Sequence, residues 1–104
     1  MSVIRIKDFI ENSDFAGSRQ SGEKIREEIV KATDMKDDGV TLDFAQVKMI
    51  TQSFGDEVLG ILTRAYGIEY IKKNIRLVNE SKEIKNILNY VIRYSKQYHN
   101  TEVA

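Results

Sequence analysis

Cysteine is absent from these 104 residues. That removes disulfides, thiolate metal sites and thiol catalysis at once, and it fits a cytoplasmic protein. Proline is absent too. With no low-complexity stretch and no repeat, the chain reads as one domain over residues 1–104, with 99–104 expected as a frayed tail. No apolar run approaches the ~20 residues of a membrane span. The opening stretch MSVIRIKDFIENSDF scatters charges where a signal peptide needs an unbroken apolar core. A cytoplasmic protein away from membranes is expected. Charge of one sign is also missing. Sixteen basic and sixteen acidic residues give none of the basic excess of a dedicated nucleic-acid binder, although a local patch would escape that count. Gly-rich phosphate loops, metal-ligand spacings and nucleophile elbows are lacking. The single histidine, His99, sits near the tail without a fixed neighbour. The expectation is a protein that is not an enzyme and holds no cofactor or metal.

What is present supports one packed core under a wet surface: 41% hydrophobic and 31% charged residues. Val3 to Lys7 alternates apolar and basic residues as a half-buried strand does, and a short extended piece comes after it at 8–10. Residues 12–21 (NSDFAGSRQS) read as a loop. Ser21 caps a first helix with Glu23 in its first turn and Ile25, Ile29 and Ala32 as its apolar stripe, Val30 beside them. Lys36-Asp37-Asp38-Gly39 punctuates its exit. Val40 to Phe44 reads as a strand. A second helix starts at Ser53, with Phe54, Val58, Ile61, Leu62 and Ala65 at helical spacing and Gly67 as terminator. Residues 74–79 (NIRLVN) form a third strand. The last helix begins after Ser81, burying Ile84, Ile87, Leu88, Val91, Ile92 and Ser95, while Tyr90, Tyr94 and Tyr98 line up as a second stripe. Strand-helix alternation predicts an α/β layer fold with a small, mainly parallel sheet. Its binding surface is expected at the carboxyl ends of the strands, where residues 49–60 (MITQSFGDEVLG) lie.

The hydroxyls in that stretch admit two readings. Ser53-Phe54-Gly55-Asp56 fits a capping box with Asp56 in the acidic position, and Thr51 could equally close the turn; neither needs a function. The other reading comes from resemblance. The segment VTLDFAQVKMITQSFGDEVLGIL resembles the core of the STAS domains, the anti-sigma-factor antagonists and their relatives. Asp43-Phe44, Ile50-Thr51-Gln52-Ser53-Phe54, the pair Asp56-Glu57, and Arg19 with Gly22 ahead of the first helix resemble a STAS-like branch of unassigned function. The resemblance implies a STAS-like fold and a regulatory module that switches between protein partners, one of them an ATPase domain of the histidine-kinase type. It also implies a loop serine or threonine that accepts phosphate. Here Thr51 stands where the family's acidic residue opens the loop, Gln52 at the phosphoacceptor, and Phe54 in place of a glycine. Gln52 cannot carry a phosphate ester, so the hydroxyl would be that of Ser53 or Thr51. The implied docking residues are Arg19, Thr51, Gln52, Ser53, Phe54, Asp56 and Glu57.

Each has a plainer alternative. Arg19 reads as an anion contact or an ordinary solvated arginine, and Phe54 as an outward anchor or, better, as core. Two rival functions remain: a homo-oligomerising adaptor acting through the tyrosine-bearing last helix, and a small nucleotide- or magnesium-binding domain using Asp43, Asp56 and Glu57.

Overall fold

The computed structural model describes residues 2–11, 13–35 and 39–103, with side chains at 34–35 and from 99 onward excluded. The central sheet has three parallel strands in the order β1 (Ser2–Arg5), β3 (Val40–Asp43), β5 (Ile75–Val78). Ser2 pairs with Val40 and Val40 with Ile75, and the register continues to Arg5, Asp43 and Val78. The middle strand β3 is covered on both faces, so even Thr41 is buried with Val40 and Leu42. A second sheet is made of β2 (Phe15–Ala16) and β4 (Met49–Ile50), also parallel. These two-residue strands are too short to show a period, and the reading of 12–21 as loop misses β2. Ser13 occupies the outer edge of β2. Its Oγ accepts from the Phe15 N–H at 2.9 Å and donates to the Phe15 carbonyl at 3.1 Å.

The helices are α1 (Arg19–Met35), α2 (Gln52–Gly55), α3 (Ile61–Tyr66), α4 (Ile68–Asn74) and α5 (Lys82–Val103). A mixed α/β architecture with a small parallel sheet results, as expected. Several boundaries differ. Ile6–Phe9 is a 3-10 turn rather than extended chain. Arg19 and Gly22 lie inside α1 rather than before it. Ser18, not Ser21, receives a first-turn N–H, from Ser21 at 3.0 Å. Gly67 ends α3 as expected, at φ 93, but α4 starts directly after it. Only Ile71 of α4 is fully buried, which leaves no stripe to predict it by. Most of the turn expected at 36–39 lies outside the described residues. The helix α5 continues to Val103 through the segment expected to fray; the side chain of His99 and all of Ala104 lie outside the described residues.

The second helix contains the largest departure. Between α2 and α3 the backbone opens into a π segment, Asp56–Gly60. A π turn takes up one more residue than an α turn, so it advances the buried stripe. Regular spacing puts Phe54, Val58, Ile61, Leu62 and Ala65 inward; the fully buried residues are instead Phe54, Val58, Leu59, Leu62 and Thr63, and Ala65 is exposed. The π segment packs against both α1 and α5. Its contact with α1 is close. A side-chain carbon on Gly22 would lie 2.7 Å from the Glu57 Cβ and 3.2 Å from the Phe54 carbonyl, so only glycine lets the two backbones approach.

Candidate functional site

The loop that leaves β4 is held by Thr51. Its Oγ1 accepts from the Phe54 N–H at 3.0 Å and donates to the Gly17 carbonyl at 3.0 Å. Thr51 is therefore the N-cap, and the capping box expected at Ser53 does not form; the helix begins at Gln52 instead. Capping satisfies an orphan N–H of the first turn and contributes about 1 kcal/mol. Both capacities of the Thr51 hydroxyl are spent. The Ser53 hydroxyl makes no hydrogen bond among the described residues. It lines a hollow of about 350 Å³ together with Arg19, Gln52, Asp56, Arg64, Tyr90, Val91 and Tyr94.

The carboxylates beside it are engaged by arginines. Glu57 receives Arg19 Nη1 at 2.6 Å on Oε2 and Arg26 Nη1 at 2.8 Å on Oε1, and Arg26 also reaches the Glu57 carbonyl at 2.8 Å. Burial pushes the Glu57 carboxyl up, but the hydrogen bonds and charges of Arg26 and Arg19 outweigh it and leave the group below its usual 4.5. Asp56 takes a two-pronged contact from Arg64, at 2.8 and 3.3 Å, with Arg19 at 3.7 Å. Arg64 also donates to Ser95 at 2.9 Å. A side-chain carbon on Gly60 would collide with the Asp56 carboxylate, so this glycine leaves room for the pair. Glu23 also faces Arg26 at 3.7 Å, so the three guanidiniums of Arg19, Arg26 and Arg64 are matched by the three carboxylates of Glu23, Asp56 and Glu57. Arg19 is 58% exposed, and among the described residues only its Nη1 is engaged.

The sequence-predicted residues Arg19, Gln52, Ser53 and Asp56 share the hollow, with Glu57 joined to them through Arg19. Phe54, grouped with the docking residues by resemblance, is fully buried and holds the helix from below. The three carboxylates of the magnesium reading are not gathered. Asp43 belongs to another hollow, lined by Arg5, Lys7, Asp8, Ala45 and Gln46. There the Asn79 amide at 2.9 Å and the Ala45 N–H at 2.9 Å hold its carboxyl below the usual 3.8. Among the described residues no three acidic or histidine side chains form a metal cluster. Arg26 and Arg64 escaped the sequence reading. Arg26 meets Glu57 from thirty-one positions away, and Arg64 meets Asp56 from eight positions along a helix whose phase is shifted between them.

Among the described residues no helix is long and apolar enough to cross a membrane. A family model described as a STAS-like domain of unknown function matches residues 21–85, more than half of the chain. No curated protein and no solved structure matches it.

Proposed function

The chain belongs to the family of STAS-like domains of unknown function, and from that premise we propose that it is a non-enzymatic regulatory module. It docks a second protein through the surface formed by Arg19, Gln52, Ser53, Asp56 and Glu57. The observation that carries this reading is the division of labour between two neighbouring hydroxyls. Thr51 is committed to the fold, whereas Ser53 faces the arginine-lined hollow unbonded. The partner is an ATPase domain of the histidine-kinase type, in a cytoplasmic signalling role, and Ser53 is the switch. A phosphate there would add about −1.5 to −2 charges. It would repel Asp56 and Glu57, three and four residues on, and compete with them for Arg19. The docking surface changes while the fold stays.

A photo-crosslinking amino acid at position 52, introduced in the host, tests this, with the exposed position 69 as control. An adduct with a second polypeptide from 52 but not 69, lost or exchanged for another in Ser53→Asp, supports the reading. No adduct removes the docking surface. An adduct that Ser53→Asp leaves unchanged removes the switch.

A further inference from the structure

Resting on the reading that Ser53 is the switch, we propose that a phosphate on Ser53 is bound within the same molecule by Arg19, which leaves Glu57 for it. Arg19 is then the residue that reads the state of Ser53 for the partner. The ester forms when the Ser53 Oγ takes the terminal phosphoryl group of a nucleoside triphosphate held by the kinase; the hydroxyl gives up its proton and the nucleoside diphosphate departs. Arg19 and Ser53 line one hollow. Arg19 Nη1 lies 3.7 Å from the Asp56 Oδ2. Asp56 follows Ser53 by three residues, about one helical turn or 5.4 Å. A rotation of the long Arg19 side chain spans that distance.

The choice among three arginines follows from what each already holds. Arg26 is only 18% exposed, and it reaches the Glu57 Oε1, the Glu57 carbonyl and Glu23. Arg64 grips Asp56 with two nitrogens and donates to the fully buried Ser95, so moving it would take a donor from a buried hydroxyl. Arg19 is engaged through Nη1 alone among the described residues. When it departs, Glu57 keeps Arg26, and the contact between α1 and the π segment survives. Tyr90 and Tyr94 line the hollow from α5 and add neither a carboxylate nor a cation. After the transfer Glu57 has Arg26, Asp56 has Arg64 and the phosphate has Arg19, one guanidinium to each anion. A phosphate offers the guanidinium fork two parallel acceptors and about −2 charges. Glu57 gives Arg19 a single oxygen. In the unmodified chain the remaining nitrogens of Arg19 are left to an acceptor on the partner; bound to phosphate, the fork is occupied.

Phosphoserine placed at position 53 of the full chain during synthesis, followed by a phosphorus-31 NMR titration, tests the proposal. In an open peptide the second ionisation of phosphoserine falls at about pH 6. Arg19 favours the dianion, so the folded chain should titrate below a phosphoserine peptide of the same loop sequence, by about 0.5 pH unit or more. Arg19→Gln should return the midpoint to the peptide value or above it, because Asp56 and Glu57 disfavour the dianion. Arg19→Lys should restore part of the depression. Arg76→Gln, at an exposed arginine on β5, should leave the midpoint unchanged. A thermal melt confirms that each variant is folded, and the comparison of chain with peptide needs no variant. A midpoint at or above the peptide value in the chain that keeps Arg19 overturns the proposal. So does a lowered midpoint that Arg19→Gln leaves in place, which would assign the phosphate to Arg64. The titration depends on no partner. If it succeeds while Ser53→Asp leaves the cross-link unchanged, the Arg19 site stands and the cellular switch falls. If it fails while the cross-link responds, the switch stands and Arg19 is not its reader.

Discussion

Glu57 accepts from two guanidiniums, and its carboxyl sits below 4.5 in the folded chain. A depressed folded-state value stabilises above the unfolded value and is lost as pH falls through the folded one. Glu57→Gln should therefore cost about 1–2 kcal/mol at neutral pH, limited by the exposure of Arg19. Urea unfolding at a series of pH values should show the gap between variant and wild type closing below pH 4.5; a gap that stays constant would assign the loss to shape rather than charge. Thr51→Val should cost about 1 kcal/mol through the lost cap, against less than about 0.5 for Ser53→Ala. The residue types of this loop were readable, but not which hydroxyl takes the cap. Both Thr51 and Ser53 suit a helix start, and only the Gly17 carbonyl, thirty-four positions away, decides between them.

At the level of elements, the strands of the central sheet and the long helices α1 and α5 could be read because their patterns persist over several residues. Ser95, placed on the buried side of the last helix, is indeed fully buried. The two-residue strands, the 3-10 turn and α4 carry no period to read. The β2 edge also explains why so short a strand can end a sheet. In a parallel strand alternate residues point their backbone groups outward, and here those are the N–H and carbonyl of Phe15. Ser13 occupies both, while Phe15 and Met49 leave apolar surface beside them. Ser13→Ala frees a template for strand addition. Light scattering across concentrations should then detect association absent from wild type; unchanged scattering would mean that the edge is too short to matter.

For the molecule as a whole, the carboxylates that a magnesium site needs are divided between two hollows and matched by arginine or amide partners. Millimolar magnesium, alone or with a nucleotide, is expected to leave the melting temperature unchanged, since only a ligand that binds the native state raises it. An upward shift would revive the nucleotide-binding alternative. The π segment has a consequence for descent. A π turn amounts to one inserted residue that the helix absorbed without unravelling, rotating everything before it by about 100° relative to the turns after it. A relative lacking that residue could keep every strand of the sheet and still aim its counterparts of Gln52 and Ser53 at a different side of the molecule. The gap in an alignment would then mark where one lineage changed its partner, with no change in the letters of the loop itself.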